Sequence, residues 1–137
     1  GLGAMYFGYD KVRDPVRVAV IGTGDEGNVL IGGCNPDYVQ VKAICDIRPY
    51  SIHRAFHGDH SSPNALEVRS GLMSKYGWKT EDEARKHVKV YTDSYEELLD
   101  DPDVEAVVIA LDEPGQRPAL AQRHDVARCR HQAYITT

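Results

Sequence analysis

Val16-Arg17-Val18-Ala19-Val20-Ile21-Gly22-Thr23-Gly24-Asp25-Glu26-Gly27-Asn28 is the stretch that decides the fold. An apolar, β-branched run discharges into closely spaced glycines, which reads as a buried strand turning into a helix. In the spacing G-x-G-x-x-G, Gly22 permits the tight turn, Gly24 lets the backbone approach a pyrophosphate, and Gly27 lets helix and strand pack closely. The helix then points its unpaired N–H groups and positive dipole end at the phosphates. Glycines also cluster in ordinary turns, so the context decides. A second apolar run, Tyr38 to Cys45, ends in Asp46, 24 residues after Gly22. Dinucleotide-binding folds place an acid there to accept hydrogen bonds from the adenosine ribose hydroxyls.

Working outward, apolar runs recur as strand, helix, strand, helix, the signature of a parallel sheet. Val16 to Ile21 is the first strand, Val39 to Cys45 the second, Val88 to Tyr91 a short third and Ala106 to Leu111 the fourth. A helix from about Asp25 to Gly33 is stopped by Asn35-Pro36. Thr80-Glu81-Asp82-Glu83 has the spacing of a capping box, with Thr80 accepting from the Glu83 N–H and Glu83 reaching back, and predicts a helix to about Lys86. Another starts at Asp93-Ser94, directs Tyr95, Leu98 and Leu99 toward the sheet, and ends before Asp101-Pro102. The fold class is α/β, a Rossmann-type doubly wound parallel sheet, expected to be truncated after the fourth or fifth strand. The domain organisation is an arm over residues 1–12, a dinucleotide-binding domain over 13–111 with an insertion at 48–78, and a divergent tail over 112–137.

With 137 residues, 42% of them hydrophobic, the chain can bury a core but leaves little room for a second domain. Its net charge of −5 argues against nucleic acid as a partner, since phosphate neutralisation needs a basic face. No segment reaches the roughly 20 apolar residues of a membrane span. Cys34, Cys45 and Cys129 form no C-x-x-C pair, so neither a disulfide framework nor a zinc ribbon is suggested. They read as small residues in a reducing compartment, and the expected location is the cytoplasm. An export signal would have to lie upstream of Gly1.

Two segments exceed a minimal dinucleotide fold. Arg48 to Trp78 contains Tyr50, His53, Phe56, His57, Asp59 and His60. If Ser51 to His57 is helical, His53 and His57 share a face, and Asp59 or His60 could complete a metal site. The preferred reading assigns no metal: a solvated excursion whose Tyr50, Phe56, Tyr76 and Trp78 fold back onto the sheet edge. The tail from Asp112 has four arginines and no lysine. It is either a divergent unit, with Leu120, Arg123, Val126 and Cys129 on a poor helix and Ala133 to Thr137 as the stub of a fifth strand, or a truncated or frame-shifted end.

Three blocks resemble the N-terminal domain of the glucose-fructose oxidoreductase and inositol dehydrogenase (Gfo/Idh/MocA) family. They are Val16 to Gly24, then Ala43-Ile44-Cys45-Asp46-Ile47-Arg48-Pro49, then Tyr95-Glu96-Glu97-Leu98-Leu99 followed by Asp101 to Ala110. The resemblance covers roughly residues 13 to 111. It implies a two-domain enzyme that binds NAD or NADP in this half and acts on a sugar, cyclitol or related polyol, and a homo-oligomer is compatible with it. Some members with a long insertion carry a twin-arginine export signal. The family's Glu-Lys-Pro motif is expected after the fifth strand and its catalytic histidine in the following domain, so no catalytic residue is carried over onto this chain.

The cofactor side can be specified further. The expected binding residues are Gly22, Thr23, Gly24, Gly27, Asp46 and Arg48, with Thr23 and Gly24 offering backbone donors. Asp46 repels a 2′-phosphate and favours NAD; Arg48 could stack on adenine or receive a 2′-phosphate, which keeps NADP as the alternative. Asp25 and Glu26 suit the helix dipole but would repel a pyrophosphate, so their carboxylates should point to solvent. Two other classes compete. One is a nucleotide-binding module without turnover. The other, an S-adenosylmethionine methyltransferase, fits less well because Val20-Ile21 stand where such enzymes carry an acid.

Overall fold

The computed structural model describes residues 14–110 and the strand Ala133–Thr136. Five parallel strands form one sheet: β1 (Val16–Ile21), β2 (Val39–Cys45), β3 (Lys89–Tyr91), β4 (Ala106–Ile109) and β5 (Ala133–Thr136), in the order β3-β2-β1-β4-β5. From β1 the chain builds outward through β2 to β3, then returns to the other side of β1 for β4. That reversal is the topological switch point, and ligands of open α/β sheets bind outside the carboxyl ends of the strands there. Residues 1–13, 111–132 and Thr137 lie outside the described residues, and with them the arm, the expected tail helix and Leu111.

Each strand distributes alternate side chains to two cores. Val18 and Val20 of β1 join Val41, Ile44, Ala106 and Val108 on one face. Ala19 and Ile21 join Ala43, Cys45, Val107 and Ile109 on the other. Strict alternation would put Val41 and Ile44 on opposite faces. A bulge prevents that: Val18 pairs with Val41 and Ala19 with Ala43, so Lys42 is an extra residue and the parity flips once.

The first face is covered by helices α1 (Asp25–Gly33), α2 (Pro49–His57), α4 (Leu72–Tyr76) and α5 (Glu81–His87), through Ile31, Phe56, Leu72 and Ala84, all fully buried. Helix α3 (Pro63–Val68) lies against α1, and α6 (Tyr95–Leu99) covers the second face with Leu98 and Leu99. The sheet is thus doubly wound.

Helix limits follow local chemistry. Thr80 caps α5 by accepting from Glu83 N at 3.1 Å, as its spacing predicts, but the Glu83 carboxylate accepts from Lys79 N rather than reaching Thr80, and the helix runs to His87. Helix α6 starts at Tyr95 after Ser94 and stops at Asp100.

The segment after β2 differs most from expectation. It is not a solvated excursion: α2, α3 and α4 bring Ile52, Ala55, Phe56 and Leu72 into the core, each such side chain contributing about 1.5–3 kcal/mol when large. Phe56, Tyr76 and Trp78 do pack inward, whereas Tyr50 is exposed. The Tyr76 hydroxyl donates to Val39 O at 2.8 Å and accepts from Val41 N at 3.1 Å, where β3 does not reach, so a side chain closes the polar edge of β2.

Candidate functional site

The turn after β1 is built from backbone. Gly22 has φ 89°, a left-handed conformation costly for any residue with a Cβ, and its N–H donates to Cys45 O at 2.8 Å. Gly24 is the N-cap of α1 in extended geometry, with no side chain capping the helix. The first-turn N–H groups are therefore available to an external acceptor. At Gly27 a Cβ would stand 1.9 Å from Gly22 O, so only glycine lets the helix sit this close to the turn. All three glycines are buried, and the turn at Gly22 and the close helix approach at Gly27 are as their spacing predicts.

Thr23 behaves differently from expectation. Its N–H donates to Asp46 Oδ2 at 2.8 Å and its hydroxyl lies 3.2 Å from the same oxygen. A fully buried residue with both donors committed to Asp46 braces the turn instead of offering its N–H to a ligand. Asp46 Oδ1 accepts from Arg48 N at 2.8 Å, so the carboxylate ties the end of β1 to the start of α2. A carboxylate has about four acceptor sites, and three contacts leave capacity for a ribose hydroxyl. Arg48 is exposed and is the N-cap of α2. Beside Asp46, burial pushes the Cys45 thiol up to about 11, with the charges of Asp46, Glu96 and Asp93 adding to it, which removes thiolate chemistry from this corner at neutral pH.

Asp25 and Glu26 are exposed, as the electrostatic argument requires. The Asp25 carboxylate is also drawn aside by Arg54 at 2.8 Å, and Arg69 Nε donates to Asp25 O at 3.1 Å. Both arginines reach back to the nearly buried Asp59, Arg54 at 3.2 Å and Arg69 at 3.5 Å. The insertion thus supplies two cations beside the first turn of α1, an arrangement whose partners are 29 and 44 residues from Asp25 and carry no local sequence signal.

Asn28 was not among the expected residues. Fully buried, it donates from Nδ2 to Thr23 O at 2.6 Å and Gly24 O at 3.0 Å, clamping the turn from inside the helix. Its Oδ1 is buried and accepts no hydrogen bond from the described residues. A polar residue one position beyond the third glycine was the available signal. The glycine cradle and the free first-turn donors fit a diphosphate-bearing cofactor, whose oxygens accept hydrogen bonds. Of the residues considered for a metal, Asp59 faces the two arginines and His60 contacts His57 O, so neither completes a site with His53 and His57.

No protein-family model matches the chain, and no curated protein matches it. Among solved structures the chain is similar to the 3-hydroxybutyryl-CoA dehydrogenase of Escherichia coli K12 substr. MG1655, with a TM-score of 0.55 and 22% identity. The match covers 90% of this chain and 24% of that chain, so the likeness is one of fold over a quarter of the larger protein. Among the described residues no helix is long and apolar enough to cross a membrane.

Proposed function

We propose that the chain binds NAD at the Gly22–Gly27 turn and is the dinucleotide-binding domain of an oxidoreductase acting on a sugar, cyclitol or related polyol. The observation that carries this is the turn itself: a glycine cradle at the carboxyl end of β1, at the switch point, braced by an acid at the end of β2. The fold likeness to a dehydrogenase agrees with an oxidoreductase. That neighbour's name specifies a CoA thioester substrate, so the sugar or polyol class rests on the family resemblance of the three sequence blocks. The bound cofactor would supply the hydride acceptor. The chain's own residues hold it: first-turn N–H groups of α1 take the pyrophosphate, and Asp46 takes the ribose hydroxyls and repels a 2′-phosphate. NADP is the alternative through Arg48.

Paired calorimetric titrations with NAD and NADP test the reading. Gly24→Val puts a branched side chain where the pyrophosphate must approach, and NAD binding should weaken at least about 100-fold, near 2.7 kcal/mol. Asp46→Asn keeps an acceptor for Thr23 while removing the charge, and should shift preference toward NADP by about 1–3 kcal/mol. Unchanged NAD affinity in the Gly24→Val protein would overturn the site. A parent chain that already prefers NADP would transfer selectivity to Arg48.

A further inference from the structure

Away from the glycine turn, the described residues bring together three metal-ligating side chains, His53, His57 and Glu81. Helix α2 sets the two histidines at i and i+4, one above the other on one face. Its opposite face carries Ile52, Ala55 and Phe56 into the core, which leaves His53 exposed and His57 half-buried. Glu81 is the first residue of α5, a helix capped by Thr80 and anchored in the same core by Ala84. The donors therefore stand on two elements whose positions the core fixes.

One donor atom from each residue lies within 4.8 Å of the other two. His57 Nε2 and Glu81 Oε1 are 3.2 Å apart, close to the about 3.4 Å that two ligands of one tetrahedral zinc ion require. The His53 ring stacks on His57 with centroids 4.3 Å apart, which holds the third donor beside the pair on the exposed side of the helix. A hydrogen bond accounts for His57 and Glu81 but leaves His53 with no polar partner among the described residues. Glu81 is also oriented from behind: its Oε2 accepts from Arg85 Nε at 3.2 Å, and that guanidinium lies over the Phe56 ring at 5.2 Å. Outer partners of this kind hold a ligating carboxylate in place.

We propose that His53, His57 and Glu81 bind a divalent transition-metal ion of the zinc class, pinning α2 to α5. Two imidazoles and one carboxylate suit Zn2+, Co2+ or Ni2+ and disfavour Mg2+ and Ca2+, which take oxygen donors. Three protein ligands leave a coordination position open to solvent. His57 and Glu81 are 24 residues apart, so the ion would close the loop that carries α3 and α4. The site is independent of what the glycine turn binds.

The test uses the full, tag-free chain after chelator treatment, titrated with ZnCl2 by calorimetry and with CoCl2 by visible absorption. Expected are saturable one-to-one binding, a melting temperature that rises with Zn2+ concentration, and a Co2+ band of a low-coordinate site. His53→Ala and Glu81→Gln should each weaken binding by more than about tenfold, while His60→Ala leaves it unchanged. His53 is exposed and outside the core, so its variant keeps the parent fold, checked by circular dichroism. Absence of saturable binding, binding that survives the paired His53→Ala and Glu81→Gln changes, or loss of binding in His60→Ala would each overturn the proposal.

Discussion

Gly27 and Gly32 sit five residues apart on one helix, and each has a backbone carbonyl where a Cβ would stand: Gly22 O at 1.9 Å from the first, Val68 O at 2.1 Å from the second. Gly27 brings α1 onto the glycine turn after β1. Gly32 brings the same helix onto α3 of the insertion. The first contact is local and repeats with a recognisable spacing, so it can be read from the chain. The second joins residues 36 positions apart and has no spacing to announce it. Two close approaches of the same physical kind therefore differ entirely in how visible they are.

The comparison breaks most directly at the glycines themselves. Gly27→Ala and Gly32→Ala each force a Cβ into a backbone oxygen, and each should cost about 2–4 kcal/mol by urea denaturation. Gly27→Ala should also lose NAD affinity, whereas Gly32→Ala should leave the affinity of the folded protein intact. Stabilisation of either variant, the usual result where Ala fits, would show that the approach is not close.

Arg54→Met comes next, with an expected loss of about 2 kcal/mol, because it leaves the Asp59 carboxylate, only 7% exposed, with the Ser61 N–H and, at 3.5 Å, Arg69 as its sole cation among the described residues. Double-mutant cycles should show weak coupling of Arg54 to Asp25, whose side chain is 68% exposed, and stronger coupling to Asp59. Equal couplings would mean that the insertion is held by surface charge alone. Thr23→Val removes one hydroxyl bond to Asp46 and should cost about 1 kcal/mol while keeping the N–H bond, measured by the same denaturation midpoint.

The smallest effect is a pH dependence. Hydrogen bonds from Ser61, then the Arg54 charge, hold Asp59 below the usual carboxylate range. At Asp101 burial works against ionisation, but bonds from the Asp103 N–H, Lys89 and Tyr91 win and hold it low as well. Both folded values lie below the unfolded value of about 3.9, so their stabilisation is complete above it and is lost as pH falls through the folded values. Denaturation midpoints should hold from pH 7 to about 5 and drop below about 4. Hydrogen exchange should show amides of α3 opening with that drop. A midpoint flat to pH 3 would remove the carboxylates from the account.

Several elements were legible because their causes are local. Strands β1 and β2 and helix α1 have the limits expected from apolar runs, the glycine turn and Asn35-Pro36. Helix α3 could have been found: Ser62-Pro63 is an N-cap followed by proline in the first turn, and Ala65 N does donate to Ser62 Oγ at 3.0 Å. The bulge at Lys42 was not legible, since Val39 to Cys45 reads equally well as an unbroken strand. The third member of the histidine cluster was missed for the same reason as Gly32: Glu81 is distant in sequence, while nearby Asp59 and His60 drew the expectation.

By itself the sequence determined the parallel α/β class, the position of the glycine turn and the acid at the end of β2, because hydrophobic period, glycine geometry and capping act over a few residues. Tertiary structure alone decided that Thr23 faces Asp46, that Arg54 and Arg69 stand beside the first turn of α1, and that Glu81 meets His57. Those outcomes depend on which side chains a folded core brings within about 3 Å of one another, and hydrogen bonds and ion pairs between residues distant in sequence carry no imprint in the spacing of the residues that make them.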